Sequence, residues 1–274
     1  MWISKKEIEK LSADLKTSSR GNIVDIRDNK EGAFSILKND LYTYMDQKNE
    51  ELKITEKERD VLADYMADIS HQLKTPITSM KIMADLMEEA PKDKQAEFLK
   101  DIKISLSKME WLVSTLLKMA KIDAKAISFS KESVKVSELL KRVMPGVEVL
   151  LDVRDQSVEL KNDAVIQCDL RWTAEALSNV IKNAAEHSPN GGVITVDSGT
   201  NPMYEWIGVT DSGEGLKKEN YKAMFNRFSY STGENGYGIG IPFALTVIKG
   251  QGGDIDVDFG GNGAGATFTL KFYK

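Results

Sequence analysis

Between residues 62 and 120 the apolar side chains fall on two seams with a seven-residue repeat, interrupted by Ala90-Pro91-Lys92-Asp93. Leu62, Met66, Ile69, Leu73, Met80, Met83 and Met87 follow alternating steps of four and three, with Pro76 at the one seam position that lacks a large apolar side chain. Leu99, Ile102, Leu106, Met109, Val113, Leu116 and Ala120 repeat the pattern on the other side of the interruption. Only an α-helix brings such positions onto one stripe, and two stripe-bearing helices joined by a short turn form an antiparallel hairpin. One hairpin has too little partner surface to cover both stripes, so two chains are expected to pair into a four-helix bundle, a homodimer. The methionines of the seams read as core filling and not as ligands.

One of the chain's two histidines lies inside the first seam. With Ile69 and Leu73 at seam positions d and a, His71 takes position f, which faces away from the partner helix. Thr75 lies one turn later on the same outer side. Pro76 has no N–H to donate to the carbonyl of Gln72, so the helix is expected to loosen beside the histidine. The heptapeptide Ser70-His71-Gln72-Leu73-Lys74-Thr75-Pro76 therefore reads either as a reactive-group segment or as a surface histidine in a Pro-kinked helix.

Glycine use divides the chain. Only Gly21 and Gly32 precede residue 100, whereas 14 of the 20 glycines lie at or after Gly208. The first part is accordingly helical and the last part rich in turns and backbone-lined loops. Residues 3–20 read as a helix, residues 21–32 as a connector, and from Ala33 the helical pattern runs to Glu89. Beyond Asp123 the pattern is mixed. Strands are expected at Val147 to Val153, Ala164 to Cys168, Gly192 to Asp197, Trp206 to Thr210, Asp254 to Phe259 and Thr267 to Phe272. Helices are expected at Trp172 to His187, Lys217 to Phe225 and Ile241 to Lys249. This interleaving predicts an α/β sandwich after the helical part.

Composition excludes several classes. A net charge of −5 with no long basic run argues against nucleic acid as the main partner. The single cysteine, Cys168, cannot build a disulfide framework, no Cys/His cluster has zinc-ligand spacing, and a reducing cytoplasmic setting is expected. Cys168 itself reads as a buried apolar residue. No stretch approaches the roughly 20 apolar residues of a membrane span, and Met1 to Lys10 lacks a signal-peptide core.

The segment Leu177-Ser178-Asn179-Val180-Ile181-Lys182-Asn183-Ala184-Ala185-Glu186-His187-Ser188 resembles the asparagine box of sensor histidine kinases, and Ser70 to Pro76 resembles their phospho-acceptor box. Asp211-Ser212-Gly213-Glu214-Gly215 is similar to the first glycine box, Phe225-Asn226-Arg227-Phe228 to the phenylalanine box, and Gly236-Tyr237-Gly238-Ile239-Gly240-Ile241 to the second glycine box. Gly265-Ala266-Thr267-Phe268 resembles the last nucleotide box. These segments stand in the family's order and cover about residues 55 to 274.

The resemblance implies three regions: HAMP-like signal-relay helices over 1–54, a dimerisation and histidine phosphotransfer hairpin over 55–124, and an ATP-binding domain over 125–274, an α/β sandwich of the type shared with DNA gyrase. It implies ATP and Mg²⁺ as cofactors, autophosphorylation of His71, and transfer to an aspartate of a response-regulator receiver domain. Thr75 would hold a water for phosphatase activity. Asn183 would ligate the metal, an amide oxygen being a hard neutral donor, and Asn179 would support the phosphates. Asp211 would accept from the exocyclic amine of adenine, with Gly213 and Gly215 allowing close approach. Arg227 would contact phosphate, Gly236, Gly238 and Gly240 would open a helix whose N–H groups hold phosphate oxygens, and Thr267 would complete the nucleotide site. Relatives with such a relay are usually anchored by a preceding membrane segment, so the chain resembles the cytoplasmic part of a membrane sensor.

Two residues depart from the family pattern. Glu186 stands where many members carry a basic side chain. Gln72 stands where Glu or Asp usually follows the acceptor histidine, and glutamine can orient the ring but cannot take its proton. A phosphatase-biased or inactive signalling scaffold, and an ATP-driven clamp sharing the C-terminal fold, are the alternative readings.

Overall fold

In a computed structural model of the protein, residues 4–18, 24–27, 32–228, 238–260 and 265–274 are described. They form two compact units, Met1–Ser70 and His71–Lys274.

The first unit opens with helix α1, Lys5–Ser18. Ser4 and Glu7 cap it reciprocally: Ser4 Oγ accepts from Glu7 N at 3.3 Å, and Glu7 Oε2 accepts from Ser4 N at 3.0 Å. Part of the expected connector lies outside the described residues. Within residues 24–27 Ile26 is buried and Arg27 lies 4.0 Å over the ring of Tyr42. Helix α2, Ala33–Glu89, then begins and runs through Pro76 into the second unit.

In the second unit, α2 is followed after Ala90-Pro91 by helix α3, Lys92–Asp123. Gln72, Leu73, Pro76, Met80, Met83 and Met87 of α2 are half-buried, whereas on α3 Leu112, Thr115, Met119 and Ile122 are fully buried. The buried residues of α3 are thus not those of the expected seam, whose Leu99, Leu106 and Val113 stay exposed, as do Ile77, Ile82 and Leu86 of α2, which lie off the seam. The hairpin therefore leaves apolar surface uncovered. Among the described residues, no helix is long and apolar enough to cross a membrane.

The remainder is a two-layer α/β sandwich. Strand β1 (Glu132–Lys135) leads into helix α4 (Val136–Val143), a 3-10 turn, the short helix α5 (Glu148–Val153), and strands β2 (Ser157–Leu160) and β3 (Val165–Cys168). Helix α6 (Leu170–His187), strands β4 (Val193–Thr200) and β5 (Tyr204–Thr210), helices α7 (Tyr221–Phe225) and α8 (Gly240–Gly250), and strands β6 (Gly253–Asp258) and β7 (Thr267–Tyr273) complete it. β1 pairs with β3, and a five-stranded sheet runs β2-β4-β5-β7-β6, antiparallel except for the parallel pair β2 and β4. One pleat face of the sheet, with Ile194, Val196, Ile207, Val209, Phe268, Leu270 and Phe272, is buried with α4, α6 and α8. Leu112, Met119 and Ile122 of α3 join that same core.

The sequence misplaces one element. Val147 to Val153, expected as a strand for its valines and leucines, is helical. Val147 and Leu151 are buried one turn apart, while Val149 and Val153 are 75% and 81% exposed, so burial follows a helical period and overrides β-propensity. Strands β1 and β2 and helix α4 went unpredicted because four- and eight-residue elements carry little periodic signal.

Candidate active site

Helix α6 builds one side of the site. Its start is set by Asp169, whose Oδ1 accepts from Trp172 N at 3.0 Å while its Oδ2 accepts from Ser130 N at 2.9 Å. Thr173, Leu177, Val180, Ile181, Ala184 and Ala185 turn into the core, which fixes the helix's rotation. The opposite stripe then presents Asn179 and Asn183, both half-buried. Asn179 Nδ2 donates to Glu175 O at 2.9 Å, leaving its Oδ1 toward the first turn of α8: a Cβ on Gly240 would lie 3.3 Å from that oxygen. The structure thus brings Asn179 to the helix start that the glycine box opens. Gly238, at φ 63°, makes the left-handed step into that start. Gly236 lies outside the described residues. Asn183 makes no side-chain hydrogen bond among the described residues, so its amide oxygen is available as a donor atom.

A cavity of about 560 Å³ opens at the C-terminal end of α6, lined by His187, Ser188 and Pro189 on one side and by Asp211 to Leu216 on the other. That volume suits a nucleobase with its sugar. Asp211, 6% exposed, follows the last residue of the central strand β5, and its Oδ1 accepts from Gly213 N at 2.8 Å. Burial holds its carboxyl above the ordinary carboxylate range, only partly offset by hydrogen bonds from the Gly213 and Ala266 backbone. Packing around it is close. A Cβ on Gly213 would lie 2.4 Å from His187 O, and one on Gly265 only 1.9 Å from Asp211 O. Gly215, at φ 83°, turns the chain at the cavity's rim.

Two candidate residues are engaged away from the cavity. Thr267 pairs with Thr210 across the sheet, hydroxyl to hydroxyl at 2.8 Å, and the pleat places Ala266, not Thr267, beside Asp211, whose N donates to Ala266 O at 3.0 Å. Arg227 donates through Nη2 to Asp123 Oδ2 at the end of α3. Neither side chain lines the cavity.

On α2, His71 is exposed and Gln72 half-buried. Thr75, also exposed, donates through Oγ1 to His71 O at 3.3 Å. Cys168 is fully buried, its thiol pushed up to about 11 by desolvation, which makes it inert. Gln156, Arg154 and Ser188, which brace the cavity wall, were not singled out from sequence. They lie outside every quoted box except Ser188, and no local pattern points to them.

The chain matches two family models, His Kinase A (phospho-acceptor) domain over residues 61–125 and Histidine kinase-, DNA gyrase B-, and HSP90-like ATPase over residues 168–274. The chain belongs to the sensor histidine kinases. It is similar to the sensor histidine kinase WalK of Bacillus subtilis, with 29% identity over 225 residues covering 76% of this chain and 36% of that protein. It is 28% identical to sporulation kinase C of the same organism over 89% of this chain and 55% of that protein. The chain therefore spans between 36% and 55% of the length of these relatives. In fold it resembles histidine kinase ThkA, with a TM-score of 0.65 at 21% identity over 83% of this chain and 66% of that one. Acinetobacter baumannii histidine kinase AdeS gives 0.60 at 20% identity over 74% and 97%. The ATPase match makes the C-terminal sandwich an ATP-binding domain.

Proposed function

We propose that ATP held between α6, the Asp211 loop and the start of α8 donates its γ-phosphoryl group to His71. A ring nitrogen of His71 attacks the γ-phosphorus, the bond to the β,γ-bridging oxygen breaks, ADP leaves, and the ring's proton is released to solvent. The observation that carries this reading is an exposed histidine with no packing duty on a bundle helix, in one unit with a cavity whose inner wall bears a buried carboxylate.

Asp211 reads the adenine amine, and the α8 N–H groups and Asn179 face the phosphates. The donor set fits Mg²⁺ arriving with the nucleotide, since the amide oxygen of Asn183 makes no hydrogen bond among the described residues. Bound there, Mg²⁺ supplies charge neutralisation between the phosphates.

Phosphohistidine then passes the group to an aspartate of a response regulator, and in a separate phosphatase reaction Thr75 holds a water that hydrolyses the regulator's phospho-aspartate to release inorganic phosphate. ThkA, of similar fold, was solved in complex with a response regulator protein, which supports this choice of partner. The exposed seam residues Leu99, Leu106 and Val113 of α3, with Ile77, Ile82 and Leu86 exposed on α2, support pairing of two chains through the hairpin. The corresponding division of the chain is 1–54 relay, 55–124 phosphotransfer hairpin and 125–274 ATP-binding domain, with membrane attachment through a segment outside this chain.

Incubation with γ-labelled ATP and Mg²⁺ tests the reading. Label that is lost in acid and kept in base is the expected product. Acid-stable label, or hydrolysis in multiple turnovers without any label, would refute it and favour the clamp-type ATPase.

A further inference from the structure

The wall of the cavity formed by His187, Ser188 and Pro189 is the end of a helix, and helix ends leave carbonyl groups unpaired. Ala184 O is satisfied by Ser188 N at 3.0 Å. The next carbonyls are met by two side chains from a different part of the fold, the connector between α5 and β2. Gln156 Nε2 donates to Ala185 O, Ser188 O and Pro189 O, each at 3.0 Å. Arg154 Nη1 donates to Ala185 O at 3.1 Å and to Glu186 O at 3.3 Å. Asp155 between them, at φ 53°, makes the sharp turn from which both side chains reach the same helix end.

Gln156 is 8% exposed, and its backbone is held as well: its N donates to Leu151 O at 2.9 Å, and Arg154 O accepts from Gly191 N at 2.9 Å. From this anchor the contacts run to the base-reading carboxylate. Ser188 Oγ accepts from Ser212 N at 3.1 Å, the Cα of Gly213 lies against His187 O, and Gly213 N donates to Asp211 Oδ1. A shift of His187–Pro189 must therefore move Ser212 and Gly213, and with them the hydrogen bond that orients Asp211.

We propose that Gln156, seconded by Arg154, is a positioning residue for nucleotide recognition: it sets the wall against which the base lies and, through Ser188 and Gly213, the angle of the Asp211 carboxylate. The proposal rests on the reading of the Asp211 cavity as the nucleotide's base site. Neither residue lies within a recognised box or touches the cavity itself. Because the effect falls on the base end, it acts equally on ATP and ADP and leaves the transfer step alone.

Gln156→Met keeps the side chain's length and removes its donors. In the whole chain, the Kd for ADP by calorimetry and the KM for ATP in autophosphorylation are both expected to rise about tenfold, with kcat at saturating ATP kept within about twofold. Arg154→Met, at a half-exposed site, is expected to shift the same two constants about threefold and serves if Gln156→Met does not fold. A purely structural role lowers the melting temperature and leaves Kd and KM alone. Folded Gln156→Met with an unchanged Kd would overturn the proposal, as would an unchanged Kd in Arg154→Met where Gln156→Met is unfolded. A wild-type chain that binds neither nucleotide would instead bring down the nucleotide reading itself, and this inference with it.

Discussion

The guanidinium of Arg227 is held by the last residue of α3: its Nη2 lies 2.5 Å from Asp123 Oδ2, with the two side chains 20% and 48% exposed. Arg227, proposed from sequence as a phosphate contact, is thus tied to the end of α3. Lys118 of α3 and Glu175 of α6 make a second such link, and between them Met119 and Ile122 are buried in the ATP-binding core. While Asp123 holds Arg227, its carboxylate competes with a phosphate for the guanidinium.

Asp123→Asn removes the competing charge. The apparent KM for ATP is expected to fall about two- to threefold and Arg227→Ala to raise it, while the partly exposed pair contributes no more than about 1 kcal/mol to stability. Titration of labelled ATP against each variant checks this. Identical KM values in both would leave Arg227 as a structural tie between α3 and the α7 segment.

His71→Gln is expected to abolish labelling with no loss of fold or ADP affinity, since the residue is exposed and fills no packing position. His187→Gln, in contrast, alters a cavity wall and is expected to weaken nucleotide binding while the remaining phosphorylation still falls on His71. Mass spectrometry of the labelled peptides separates the two.

Asp211→Asn is expected to weaken ATP and ADP by similar factors, because in the proposed function the carboxylate reads the base and not the phosphates. Stability moves the other way. Burial raises the Asp211 carboxyl above its unfolded value, so between those two values the folded state holds more protons than the unfolded one. The stability this group contributes is complete below the ordinary carboxylate pKa and is lost as pH rises through the raised one. The asparagine variant, which can still accept from Gly213 N, is therefore expected to be at least as stable as the wild type at neutral pH. Urea denaturation between pH 4 and 8 should show it lacking that decline.

Gln72 is predicted to support transfer without a proton-taking neighbour. A neutral imidazole attacks phosphorus before losing its second proton, so Gln72→Glu is expected to raise the rate by at most about tenfold and Gln72→Ala to lower it. Wild type without detectable phosphohistidine, and strong labelling in Gln72→Glu, would move the chain to the phosphatase-biased or inactive class.

Gly265→Ala places a methyl group where Asp211 O stands 1.9 Å away, between paired β5 and β7 ends. Backbone on both sides cannot yield, so a loss of about 1–3 kcal/mol is expected, with ADP affinity lost as well. Calorimetric unfolding and ADP titration measure the two effects.

The helices α1, α2, α3 and α6 were legible in the sequence because a long amphipathic run repeats its signal many times, and the turn at Ala90-Pro91 punctuates it. The exposed setting of His71 followed from the same arithmetic, since a seam at Ile69 and Leu73 leaves only one side for the residue between them. The family was legible too, in residue types whose order along the chain is itself the signal. What lay beyond the sequence was decided by contacts between segments far apart. The period that turned Val147 to Val153 into a helix appears only once Val147 and Leu151 find a core to enter. The pleat that gives Thr267 to Thr210, and Ala266 to Asp211, depends on the register of β5 against β7. Arg227 is 104 residues from Asp123, and Gln156 is 29 to 33 residues from the carbonyls it holds. Local pattern carries no information about such pairs, because the free energy that selects them is that of the packed core, which exists only when the whole sandwich has closed.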